Sequence, residues 1–205
     1  MKLFGEQYLS KYLSEKLDQT KRDIKYKNEF ELKRTSKEDL LKQLVESTKV
    51  GTLEVNLEER TTKVVLREIP AEHFPRTYHV HPGKKYPCAL VTYSYNIPSN
   101  SQLMGCLPSN NFIRRIETDL TFESNKMHIH YQTLFGNEIL SEEVKNEVKN
   151  WIISVHYQIR EATIEINNEI ENFNNRVPEE LKILIDTKYK SIEDQNKQND
   201  DLNDF

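Results

Sequence analysis

From Val144 to Phe173 the chain keeps apolar side chains at spacings of three and four: Val144, Val148, Trp151, Ile152, Val155, Ile159, Ala162, Ile166, Ile170 and Phe173. At 3.6 residues per turn this spacing draws one apolar stripe down a helix of about 33 residues, about 50 Å long. Ser141 stands where an N-cap would accept a first-turn N–H, and Glu142, Glu143 and Glu147 suit the positive end of the helix dipole. Pro178 reads as the start of a further helix striped by Leu181, Leu184, Ile185 and Tyr189, so residues 141–190 form a long C-terminal helix or a helical hairpin. Residues 191–205 are polar and almost without apolar content, and read as a disordered acidic tail.

A rod with such a stripe needs a bed, and the preceding sequence supplies helices and then strands. Leu3, Phe4, Tyr8, Leu9, Tyr12, Leu13, Leu17 and Ile24 predict an amphipathic helix over about 4–25. Asn28 to Lys33 alternates and reads as a short strand. Ser36 caps a helix striped by Leu40, Leu41, Leu44 and Val45, which Gly51 is placed to stop. From Thr52 the period falls to two. Leu53, Val55 and Leu57, followed by Thr62, Val64 and Leu66 against Lys63, Val65 and Arg67, predict a β-hairpin with one wet face. Tyr78 to His81 reads as a short strand, Cys88 to Ile97 as a strong one, and about 115–122 and 126–134 as two more around a turn at Glu123-Ser124-Asn125. The expected architecture is one α+β domain over 1–190: helices in 1–50, an antiparallel sheet in 51–137, and C-terminal helices in 141–190.

Composition narrows the function classes. The chain is 36% hydrophobic and 30% charged, lean but able to build a core. Residues 1–50 hold 12 Lys/Arg against 9 Asp/Glu, and residues 141–205 hold 8 against 15. The basic excess is too small for a nucleic-acid footprint, so nucleic acid is not indicated. No apolar run approaches the ~20 residues that span a bilayer, and the first residues lack a signal-peptide core. A cytoplasmic protein is therefore expected. Cys88 and Cys106 do not make a disulfide framework and read as reduced structural thiols. The five glycines form no phosphate-binding loop, and neither a nucleophile elbow nor a Cys-x-x-Cys pair occurs. No catalytic residue is assigned.

Three residue sets still carry possible chemistry. His79 and His81, and His128 and His130, form two His-x-His pairs in expected strands, where residues two apart share a face. If those strands were neighbours, four imidazoles could hold zinc, the alternative to having no cofactor. That arrangement would suit a metal-dependent hydrolase. Tyr93 and Tyr95, with Arg114 and Arg115, could instead line a small-ligand or nucleotide site, because tyrosines on a sheet can stack on rings. The competing expectation is that these rings pack beneath the long helix.

The run from Pro87 to Ser109 contains a strand, the turn Pro98-Ser99-Asn100-Ser101 and Leu103-Met104-Gly105-Cys106-Leu107-Pro108-Ser109. Together with Ile166-Asn167-Asn168-Glu169-Ile170-Glu171-Asn172-Phe173-Asn174, it resembles an uncharacterised class of bacterial sheet-plus-long-helix modules found in antiviral-defence-type operons. The resemblance covers about residues 86–190, with Ser99-Asn100 replacing the glycine usual in that turn. It implies a sensing or partner-binding module beside a separate effector. The leading expectation is thus a non-enzymatic recognition or assembly module with a protein partner, a second copy first among them. Its contacts would be Trp151, Ile152, Val155, Ile159, Ile166 and Phe173, on the argument that the stripe exceeds what the domain can cover.

Overall fold

The structure, a computed structural model, describes residues 3–97, 100–109, 118–123, 125–134 and 136–203, with the side chain of Lys33 outside that set. It is an α+β fold in which one helix serves as the axis. In chain order the elements are β1 (Gln7–Tyr8), α1 (Leu9–Tyr26), α2 (Glu29–Lys33), α3 (Lys37–Thr48), β2 (Arg60–Pro70), β3 (Lys85–Asn96), β4 (Cys106–Leu107), β5 (Asp119–Glu123), β6 (Lys126–Gln132) and α4 (Glu142–Asn203).

The main sheet is antiparallel with strand order β2-β3-β6-β5. Its register sends Val64, Val91, Tyr93, Tyr95, Met127 and Ile129 to one face, where they join the core against α4, while Thr62 on the same face is exposed. Asn125, at φ 62°, turns the chain between β5 and β6 in the left-handed conformation that asparagine tolerates. The short β1 pairs in parallel with β4, and the Phe4 and Glu6 N–H groups donate to the carbonyls of Met104 and Gly105. These bonds tie the start of the chain to the segment after β3.

The α4 helix runs for 62 residues without interruption, about 93 Å at 1.5 Å per residue. Neither a helical hairpin nor a disordered segment is present over the described part of the C-terminal region. Pro178 removes one backbone donor and leaves the Asn174 carbonyl without its intrahelical partner. Around it Val177, Leu181 and Ile185 are buried and hold the helix together. Beyond residue 190 the helix continues through Asn203, and Asn196 Nδ2 donates to Glu29 at 2.7 Å.

The expected surplus of stripe is also absent. Ile152, Val155, Ile159, Ile166 and Phe173 are all buried, and Ile159 and Ile166 are 0% exposed. The sheet covers the first part of α4, and α1, α3 and the segment before β2 cover the rest. Trp151 is half-buried against Tyr131, with ring centroids 4.9 Å apart. These six residues are internal packing rather than a free ridge.

The first arm of the expected β-hairpin is not a strand. Residues 51–57 are extended but pair with no other strand among the described residues; they lie along α4. Asn174 Oδ1 accepts from the Val50 N–H at 3.0 Å, and its Nδ2 donates to the Val50 carbonyl at 2.9 Å. Asn167 does the same for Leu53, at 2.8 and 3.0 Å. The spacing explains the match. Seven residues of helix rise about 10.5 Å, close to the roughly 10 Å spanned by three extended residues. Each asparagine amide thus serves a backbone donor and acceptor that a strand partner would otherwise satisfy. At Gly51 an added Cβ would lie 2.8 Å from Asn100 Nδ2, which donates to the Thr52 carbonyl, so a side chain there would displace that bond.

Two shorter segments also differ from expectation. Asn28 to Lys33 is helix rather than strand, because the Asn28 side chain accepts from the Glu31 N–H and the Glu31 carboxylate accepts from the Asn28 N–H. Tyr78 to His81 is loop, lying between a 3₁₀ turn at Ala71–His73 and β3.

Candidate functional site

The face of the main sheet turned away from α4 is built from the other half of the same strands. The register aligns two cross-strand rows there. One is Lys63, Thr92, His130 and Asp119; the next is Thr61, Ser94, His128 and Thr121. With strands about 4.8 Å apart, each row crosses the sheet in about 14 Å. Lys63, Thr61, Asp119 and Thr121 are exposed, and the four inner side chains are half-buried. Near Lys85 the same face is covered instead by the loop after β2, where Phe74 packs edge-on against Tyr86 with centroids 5.5 Å apart.

Hydroxyls and imidazoles interlock along these rows. His128 Nδ1 lies 2.7 Å from Ser94 Oγ, and His130 Nδ1 lies 3.0 Å from Thr92 Oγ1. His130 Nε2 reaches Thr121 Oγ1 at 2.9 Å, so both nitrogens of that ring are engaged. The two rings stack at 6.3 Å with 20° between their planes. Partial burial lowers the His130 pKa; nearby His128 and Arg67 act in the same direction, and Asp119 and Glu123 oppose them. The outer strands of this face differ in sign: Lys63 and Arg67 on β2 are basic, while Asp119 and Glu123 on β5 are acidic, with Lys126 of β6 opposite Glu123.

The contact between Ser94 and His128 has the reach of a nucleophile and its base. Such a pair also needs a group orienting the base and donors facing a developing oxyanion. Among the described residues no carboxylate hydrogen-bonds either imidazole, and the rows lie on the sheet surface rather than in a cleft. As it stands, the arrangement is a rigid array of donors and acceptors.

The two His-x-His pairs do not converge. His81 sits in the loop, where its N–H donates to the Tyr86 hydroxyl at 2.8 Å. Tyr86 and Thr92, the residue opposite His130, are about 20 Å apart along β3. Among the described residues no three His, Cys, Asp or Glu side chains lie close enough to hold a metal ion. Strand geometry does put His128 and His130 on one face, but His79 and His81 lie beyond its reach.

Tyr95 is fully buried, and its hydroxyl lies 2.7 Å from His156 Nε2, which leaves it no surface for a ligand. Tyr93 is buried on the same face, beside Val64 and Val148. Arg114 and Arg115 lie outside the described residues. Cys88 and Cys106 are free and buried, and burial raises the Cys106 pKa, which keeps that sulfur a thiol.

Sequence reading missed Thr92, Ser94 and Thr121. Thr92 and Ser94 alternate with Val91, Tyr93 and Tyr95, a period-two signal inside a run that otherwise reads as wholly apolar. His156 was also missed, although it stands four residues after Ile152 and therefore on the buried stripe. No family model, no curated protein and no solved structure matches the chain. No helix among the described residues is long and apolar enough to cross a membrane.

Proposed function

We propose that this chain is a non-enzymatic recognition module that presents the open face of its sheet to a protein partner. One observation carries the reading: α4 covers one face of the sheet, while the two imidazole–hydroxyl rows on the other face lie under no described helix. A flat, preorganised polar surface suits a macromolecule better than a small ligand, which is normally held in a concave site. Side chains already fixed by neighbours lose little entropy when a partner docks. The sorted charges set the partner's chemistry: acidic groups toward Lys63 and Arg67, basic groups toward Asp119 and Glu123.

The test is a photocrosslinking residue placed at Asp119, compared with one at exposed Glu161 on α4, in cells making the full chain. A discrete adduct with a different protein from position 119, lost when Glu123 is changed to lysine, supports the reading. Position 119 giving no adduct beyond those from position 161 overturns it.

A further inference from the structure

The β2 strand is an edge of the main sheet. It pairs with β3 through an unbroken register over 11 residues, with no bulge, and its one proline is the last residue, Pro70. In an antiparallel ladder about half of an edge strand's N–H and C=O groups point away from its neighbour. Among the described residues no other strand pairs with that side of β2. Long free edges of this kind are templates for another strand, and proteins usually cover, bend or break them.

We propose that a second copy of this chain occupies this edge, with two β2 strands antiparallel about a twofold axis at Val64. An axis perpendicular to the sheet keeps both helical layers on one side and sets residues of the same face opposite each other. With Val64 on the axis, Arg60 stands opposite the partner's Glu68, and Glu68 opposite the partner's Arg60. Moving the centre by one residue places Lys63 against itself or against Arg67, and like charges directly opposite are unfavourable. Charge therefore selects the Val64 register over its immediate neighbours.

Apolar surface agrees with that register. Leu66 is 42% exposed and Ile139 is 88% exposed. A groove of about 270 Å³ lined by Thr62, Val64, Tyr93, Ile139 and Val148 opens beside the strand on its core face. In the paired form the partner's Leu66 comes opposite Thr62, over this groove, and the exchange is reciprocal. The interface lies along an edge strand and does not depend on what docks on the open face.

Light scattering of the full chain over a broad micromolar range tests it. The expected species has twice the monomer mass of 24.3 kDa. Arg60→Glu and Glu68→Arg should each weaken the dimer about tenfold or more, and the double variant should restore it, because only the double variant recovers the opposite-charge pairs. A monomer at every concentration overturns the proposal, as does a dimer that neither single variant weakens or that the double variant fails to rescue. If a charge variant does not fold, Val64→Cys decides: a short bis-maleimide should link two chains through position 64, since Cys88 and Cys106 are both 0% exposed, and failure to link them overturns the proposal.

Discussion

The Tyr95 hydroxyl and His156 Nε2 lie 2.7 Å apart between the main sheet and α4, joining two layers with a buried polar contact. Tyr95 is 0% exposed and His156 is 8% exposed. A buried polar atom stripped of its partner costs about 1–3 kcal/mol. Tyr95→Phe should therefore lower unfolding free energy by about that amount in a urea titration. An unchanged midpoint would show that the contact stabilises nothing.

The same histidine gives stability a pH dependence. Burial lowers the His156 pKa, and Arg60 and Arg160 lower it further. The unfolded chain then binds the extra proton first, and stability rises with pH wherever the unfolded state holds more protons. Stability should be full above the ordinary histidine range and should fall as pH drops through about 6.5, until the folded pKa is reached. His130, also lowered, adds to the effect in the same direction. Urea midpoints at stepped pH values should show the decline, and His156→Gln should flatten it.

Asn167 and Asn174 make a separable prediction. Asn167→Ala leaves the Leu53 N–H and carbonyl without their helix partner, and Asn174→Ala does the same at Val50. Each should cost about 1–3 kcal/mol. Amide exchange should quicken at Leu53 in the first variant and at Val50 in the second. Equal exchange in both variants and the parent would mean that the amides do not hold the segment.

Ile159 lies within the core, so a charge placed there meets no solvent. Ile159→Asp should abolish cooperative unfolding or cost more than about 4 kcal/mol, read by circular dichroism during thermal melts. A variant that stays folded would return this side chain to the surface.

Periodicity and capping made α1, α3 and the start of α4 legible, whereas α2, with its Asn28–Glu31 capping box, reads in sequence as a strand. Ser36 accepts from the Asp39 N–H and Ser141 from the Val144 N–H, as their positions predict. The strand at Cys88–Ile97 and the two faces of β2 were readable for the same reason, a clear period of two. What misled was local pattern resolved by distant partners. Leu53, Val55 and Leu57 alternate like a strand, but the segment is anchored at Val50 and Leu53 by asparagines more than a hundred residues away. Pro178 reads as a helix start because the loss of one hydrogen bond is visible in sequence, whereas the buried contacts that outweigh it are not. The open face was half legible: spacing places His128 and His130 together, but only the strand order brings Lys63, Thr92 and Asp119 into line with them.

Because α4 lies beneath the sheet at one end and against α1 and α3 further along, both parts of the fold share one phase of rotation. A single residue inserted between Ile159 and Ile166 would turn everything beyond it by about 100° about the rod's own axis. Sheet and helical cluster could not then both keep their seats, so the length of that stretch is as constrained as its chemistry.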